Sequence, residues 1–201
     1  VCESVTNIAA ADIARIEAGA EGSGDKRGQI VTRVKFPDPP HAGRTVLEVE
    51  DLSVSYGELA VFDDVTFSMG RGERMVVMGF NGAGKTSLLR AVARILEPSS
   101  GRIVLAGRDI HHYTRRELAR KLAVVPQDLH VPFPFLAGEG VLMGRAPHQG
   151  LFGFESREDV ARARQAMERM GIGELANRSI FELSGGERQL VLFARALAQE
   201  P

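Results

Sequence analysis

A chain of 201 residues is long enough for one domain, or one domain with an appendage. Hydrophobic residues make up 44% and charged residues 25%, a balance that fills an ordinary core. The formal net charge of −1 speaks against a nucleic-acid surface or a polybasic membrane anchor as a property of the whole chain, although a local basic groove stays open. No apolar run approaches the roughly 18 residues needed to span a bilayer, and the N-terminus lacks the basic, apolar and small-residue order of a secretory signal. Cys2, the single cysteine, excludes an internal disulfide and a cysteine-rich zinc site, and it agrees with a cytosolic address.

Residues 1–44 differ from the rest. NIAAADIARIEAGA (7–20) has the partial face of a short helix, GAEGSGDKRG (19–28) is flexible by composition, and PDPPHAG (37–43) fits neither a central helix nor a central strand. The expectation is a flexible N-terminal extension over 1–44 and a compact domain over 45–201. TVLEVEDLSVSY (45–56) shows interrupted strand alternation, and AVFDDVTFSM (60–69) reads as its hairpin partner. RMVVMGF (74–80) is nearly continuous apolar sequence and predicts a buried strand. TSLLRAVARIL (86–96) places Leu88, Leu89, Val92, Ile95 and Leu96 on one helical stripe stopped by Pro98. Strand, helix and strand are predicted over 101–110, 115–122 and 123–127. SREDVARARQAMERMG (156–171) reads as an amphipathic helix with a serine cap and a terminal glycine, and GGERQLVLFARALAQE (185–200) as another helix.

GFNGAGKT (79–86) matches the pattern of a glycine, four residues and Gly-Lys-Ser/Thr, set between a predicted strand and a predicted helix. Glycines let the backbone curl so that successive N–H groups face phosphate oxygens, and the first helical turn adds unpaired donors and the positive end of the dipole. The expected phosphate-contacting set is Gly79, Asn81, Gly82, Ala83, Gly84, Lys85, Thr86 and Ser87. Lys85 would reach the β and γ phosphates, and the Thr86 hydroxyl would help hold Mg²⁺. The glycine triplet of dinucleotide loops is absent, so a nucleoside triphosphate fits better; the loop alone does not separate ATP from GTP. Tyr56, at a strand end, is a candidate to stack on a base or to pack in the core.

LSGGE (183–187) places a serine and two glycines at the mouth of a helix, suited to close approach by an anion. Ser184 and Glu187 also have the spacing of a capping box, and the two uses are compatible.

With these two motifs in this order, residues 46–201 resemble the ATP-binding subunit of ABC transporters. The resemblance implies an α/β fold: a P-loop NTPase core with an N-terminal antiparallel β subdomain and a helical insertion subdomain at about 128–184. It implies head-to-tail pairing of two copies, so that Ser184, Gly185 and Gly186 meet the γ-phosphate bound at the partner's Lys85. Gln127, in VVPQD, matches the family's glutamine loop, which senses Mg²⁺ or the attacking water, and Tyr56 matches its adenine-stacking aromatic. The implied cofactors are ATP and Mg²⁺, with Thr86 and Gln127 as the metal-facing residues and Lys85 and Gln127 as the catalytic ones. Phe80 stands where the family often has proline, and Leu190 where arginine often follows RQ.

The family's acidic strand, catalytic glutamate and switch histidine lie downstream of the signature helix, and here the sequence closes at Pro201. The expectation is a piece of a longer ATPase that hydrolyses little by itself. Neither Glu187 nor Glu200 is a candidate base, and the five histidines read as surface or capping groups.

VLMGRAPH (141–148), in a segment whose aromatic, Met and Arg residues suit interface anchors, resembles the importers of ferric siderophores, haem and cobalamin. That resemblance implies integral membrane permease subunits as partners, a solute-binding protein acting indirectly, no nucleic acid, and a peripheral place on the cytoplasmic face of the membrane. Two other readings stay open: a non-transport ABC ATPase and a nonhydrolytic nucleotide-binding fragment.

Overall fold

The computed structural model describes residues 6–7, 45–127, 134–150 and 154–201. The predicted helix at 7–20 and the flexible and proline-rich stretches up to 44 lie outside the described residues, apart from a two-residue strand. The chain divides into two compact units. Among the described residues the first holds 6–7 and 45–113, and the second begins at Thr114.

The first unit is built on a four-stranded antiparallel sheet. Strand β1 is Thr6–Asn7, β2 Thr45–Tyr56, β3 Leu59–Gly70, β4 Met75–Val76, β5 Ser100–Leu105 and β6 Arg108–Asp109. The order is β3-β2-β5-β6, with Val54 opposite Phe62 and Val49 opposite Ile103. The interrupted alternation of β2 has a local cause. Val49 and Leu52 are both buried although three residues apart, because Asp51 adopts φ 49° and the register shifts there. Asp64 does the same on β3, with φ 55° between buried Phe62 and Val65. Each extra residue is tied across the hairpin: Asp51 N–H donates to Thr66 Oγ1 at 2.8 Å, and Asp64 N–H to Ser53 Oγ at 3.0 Å. The paired bulges return the apolar side chains to one face. Predicted strand 101–110 is a hairpin, β5 and β6 turning at Ala106–Gly107, where both residues have positive φ.

Helix α1, Lys85–Val92, buries Leu88 and Ala91. It stops four residues short of the predicted end because Arg94 takes φ 54°; Ile95 N–H then bonds Arg90 O at 2.8 Å and Arg94 N–H bonds Ala91 O at 2.9 Å, closing a Schellman turn. The predicted stripe is therefore broken, and Leu89 and Ile95 are exposed.

The strand expected over 74–80 is reduced to β4, paired antiparallel with β1, while Val76, Met78 and Phe80 are exposed. Residues 123–127, also expected as strand, have no regular structure. A strand buried on both faces needs paired neighbours and cover on each side. Among the described residues no parallel strand adjoins either segment.

The second unit is helical: α2 Arg115–Ala119, α3 Ala137–Leu142, α4 Arg157–Arg169 and α5 Gly185–Ala198, with short 3₁₀ turns at Met143–Arg145, Gly173–Leu175 and Ile180–Glu182. Capping boxes start α2 (Thr114, Glu117), α4 (Ser156, Asp159) and α5 (Ser184, Glu187). Gly171, at φ 68°, ends α4 as the sequence predicts. Helices α3, α4 and α5 enclose Val141, Ala163, Met167, Met170, Ile172, Ile180, Leu183 and Val191. Phe135 and Leu190 pack partly buried against this cluster, so Leu190 serves as a core-facing residue of α5.

An ion pair lies inside this unit. Arg145 and Asp159, 5% and 4% exposed, meet at 3.1 Å. Burial by itself would raise the Asp159 pKa; hydrogen bonds from the Ser156 hydroxyl and backbone, together with the Arg145 guanidinium, outweigh it and hold the carboxyl below its usual 3.8.

Two outcomes follow for stability. Gly101 has φ 95°, and a Cβ there would lie 2.5 Å from the Asp51 carbonyl oxygen at the β2 bulge. Gly101→Ala is expected to lower unfolding free energy by at least about 1 kcal/mol, read from urea titration. Asp159 binds a proton more readily unfolded than folded, so its contribution is full above pH 3.8 and is lost as pH falls through its lower folded value. Asp159→Asn should therefore flatten the acid limb of stability against pH. At neutral pH it should cost on the order of 3 kcal/mol, because a buried guanidinium loses its one buried carboxylate partner among the described residues.

Candidate functional site

In the first unit the loop from Gly79 into α1 closes on itself. Ala83 N–H bonds Phe80 O at 3.1 Å, and the Lys85 ammonium donates to Gly79 O at 2.7 Å and Phe80 O at 2.8 Å. Lys85 thus bends back over the start of the loop, with Asn81 and Gly82 exposed at its crest. Gly82 has φ 89° with open space around its Cα, and Gly84 has φ 82°. Gly84 is hemmed in as well: a Cβ there would stand 2.8 Å from Val61 Cγ1 and 2.9 Å from Phe62 Cδ1. Strand β3 is therefore the wall against which the loop turns into the helix, a role for Val61 and Phe62 that sequence reading did not single out.

Gly84 supplies no side-chain oxygen to the first N–H groups of α1, and no carboxylate occupies the first turn. Lys85, Thr86 and Ser87 form that turn, so the helix start presents unpaired donors, a positive dipole end and a cation together. Such a cradle suits a polyanion. Phe80, 87% exposed, leaves the loop mouth open. Tyr56 belongs to the same unit. It ends β2 opposite Leu59 with half its surface exposed, about two residues' rise, or roughly 7 Å, along the strand from Val54, whose partner Phe62 backs Gly84. The core-packing option for Tyr56 is thereby set aside.

The second unit carries Gln127 and the LSGGE segment. Gln127 is exposed, and residues 128–133 after it lie outside the described residues. Leu183 is buried, while Ser184, Gly185 and Gly186 are exposed at the start of α5. Ser184 N–H donates to Glu187 Oε2 at 2.7 Å, and Glu187 N–H to Ser184 Oγ at 3.3 Å. Hydrogen bonds to the Ser184 side chain and backbone, with Arg178 at 3.7 Å, hold the Glu187 pKa below its usual 4.5. Ser184 Oγ accepts from the Glu187 N–H, and its hydroxyl serves the Glu187 carboxylate. A Cβ on Gly185 or Gly186 would touch nothing within 4 Å, so packing among the described residues does not require either glycine.

Glu200 is no base in waiting: it pairs with Arg145 at 2.8 Å and Arg162 at 3.1 Å. His148 Nε2 lies 2.8 Å from Gln199 O, and His111 Nδ1 3.5 Å from Glu97 Oε1; His130 lies outside the described residues. Among the described residues no cluster of three His, Cys, Asp or Glu side chains could hold a metal, and no helix is long and apolar enough to cross a membrane. Arg145, expected among surface interface anchors, is instead buried. Its one sequence hint is the Ser-x-x-Asp spacing that marks Asp159 as a capping residue but says nothing of who shares the carboxylate.

The chain is similar to known proteins. The ABC transporter family model matches residues 62–201. The cobalamin import ATP-binding protein BtuD of Halobacterium salinarum is 43% identical over 153 residues, covering 76% of this chain and 38% of that protein. The hemin import ATP-binding protein HmuV of Pseudomonas entomophila is 42% identical (77% of this chain, 59% of that one), and the ferric enterobactin transport ATP-binding protein FepC of Escherichia coli 38% (77% and 57%). A metal-chelate type ABC transporter solved in an inward-facing conformation superposes with a TM-score of 0.65 at 32% identity, over 79% of this chain and 57% of that one. A nucleotide-free ATP-binding cassette from an ABC transporter superposes with a TM-score of 0.69 at 26% identity, over 78% and 66%. The chain spans between about two fifths and three fifths of the curated relatives named here. With the loop at Gly79–Ser87 and the capped LSGGE helix both in place, the chain belongs to the ABC transporter family.

Proposed function

We propose that this chain is the nucleotide-binding part of an ATP-driven importer, and that its cargo is an iron complex (a siderophore or haem) or cobalamin. The observation that carries this reading is the pairing, in one chain, of a lysine-bearing loop open at a helix N-terminus with an exposed Ser-Gly-Gly at the start of α5. Glycines 185 and 186 are dispensable to packing among the described residues, which supports a role in letting something outside the chain approach the helix closely.

In this reading Gly79, Asn81, Gly82, Ala83 and Gly84 curl around the phosphates of ATP, and Lys85 exchanges its bonds to the Gly79 and Phe80 carbonyls for phosphate oxygens. Thr86 and Ser87 extend the donor row of the first turn, Thr86 and Gln127 face Mg²⁺, and Tyr56 stacks on adenine. Mg²⁺ held there would neutralise phosphate charge. Ser184, Gly185 and Gly186 meet the γ-phosphate held by a second copy arranged head to tail. Gln127 and Lys85 are the groups of this chain that act at the reacting phosphate. Domain limits follow the same proposal: an extension over 1–44, and a partial ATP-binding domain over 45–201 with its helical subdomain at about 128–184. The full-length protein works with membrane permease subunits on the cytoplasmic face, fed by a solute-binding protein. The names of BtuD, HmuV and FepC support the cargo class.

Two substitutions separate the halves of this reading. Lys85→Ala should weaken ATP binding by roughly 10- to 100-fold, the effect of losing a charged donor worth about 1.5–3 kcal/mol. Ser184→Arg should leave ATP binding to the monomer unchanged and abolish ATP-dependent dimerisation. Nucleotide titration followed by light scattering decides it: equal loss of monomer binding in both variants would sink the two-site assignment.

A further inference from the structure

Arg145 and Asp159 are the two charged side chains buried among the described residues. Arg145 engages three places in the chain. Nε donates to Asp159 Oδ1 at 3.1 Å, in the first turn of α4; Nη1 donates to Ala198 O at 2.9 Å, the last residue of α5, and to Glu200 Oε2 at 2.8 Å just beyond it. Asp159 is itself fixed by Ser156, whose hydroxyl donates to Oδ2 at 2.7 Å. The 3₁₀ turn that carries Arg145 lies directly on α5: a Cβ on Gly144 would run into the Arg195 carbonyl oxygen.

Other groups close around the same helix end. His148 Nε2 meets Gln199 O at 2.8 Å, and the Gln199 side chain donates to Ala119 O and, at 2.8 Å, to Leu122 O after α2. The carbonyl terminus of α5 is thus clasped by a cation aligned with the helix dipole and by neighbours from α2, α4 and the turn after α3. Its other end carries Ser184, Gly185 and Gly186. A 14-residue helix is about 21 Å long, so a tilt of about 5° at the clasped end moves the free end by roughly 2 Å. Apolar side chains of equal volume would hold the core together as well as a buried ion pair. They would lack the three fixed bond directions of a guanidinium.

We propose that Arg145 is a positioning residue that sets the aim of α5, so that Ser184, Gly185 and Gly186 reach the nucleotide bound by the second copy. The inference rests on the head-to-tail reading above.

The test uses the full-length chain with its permease. In a Cys2→Ser background, spin labels at Arg164→Cys on α4 and Arg188→Cys on α5, both exposed, report the distance between the helices. With Arg145 intact the distance distribution is narrow. Arg145→Met should broaden it or shift it by about 2 Å, and should lower kcat for ATP about 10- to 100-fold with KM within about two-fold, because misplacement at the ångström scale penalises the reacting geometry while the Lys85 loop is untouched. The double substitution Arg145→Met/Asp159→Asn removes both buried charges; it should recover the melting temperature and still show the broad distribution and low kcat. Arg145→Lys should restore both partly, because one ammonium keeps the Asp159 pair without the fork. A narrow distribution in folded variants, or a KM that rises as far as kcat falls, overturns the proposal. If the unsubstituted protein neither pairs nor turns over, the head-to-tail reading fails instead, and the distance distribution still decides what Arg145 does.

Discussion

The first N–H groups of any helix have no carbonyl partner within it, and something else must satisfy them. This protein resolves that constraint in two opposite ways. At α1 the N-cap is a glycine without a side-chain acceptor, and a lysine occupies the first turn, so the donors are left for an outside anion. At α5 the chain supplies its own acceptors: Ser184 and Glu187 exchange hydrogen bonds and close the turn. One helix start is an open cradle and the other a finished surface, and the proposed function assigns them complementary parts in a shared site.

What surrounds each helix start keeps it in that state. Behind α1, Val61 and Phe62 stand where any side chain at residue 84 would have to go, so the turn into the helix is made by a glycine in the left-handed region. Phe62 is itself placed by the bulge at Asp64, which keeps it on the same buried face as Val65 despite the broken alternation. A defect in strand period thus becomes part of the loop's support. Behind α5 the helical core fixes the near end through Leu183 and Val191, and the Arg145 clasp fixes the far end.

The two units also differ in how they are held. The sheet unit relies on register and apolar burial, with hydroxyl–backbone bonds tying its bulges. The helical unit adds a buried charge network to its apolar core. The guanidinium of Arg145 bonds at three points, on two helices and beyond the end of one of them. That is a directional constraint of a kind apolar packing does not impose, and it falls on the helix whose exposed end carries Ser-Gly-Gly.

Local pattern alone determined a good deal here. The Gly79–Thr86 spacing, the caps at Ser156 and Ser184, the glycine stop at 171 and the antiparallel hairpin of β2 and β3 all depend on residues near one another in sequence, and so does the family. Tertiary structure decided the rest. Residues 74–80 and 123–127 have the composition of buried strands yet stay largely outside regular structure, because a parallel strand exists only with neighbours beside it. The helix expected to Leu96 ends at Val92 because Arg94 turns left-handed and bonds back across the turn, which no apolar stripe announces. Arg145 reads as a surface anchor in VLMGRAPH and is buried instead, since its partners at 159, 198 and 200 become neighbours only once the helices pack. Caps and turns are short-range and legible; burial of a charge depends on who arrives from far along the chain.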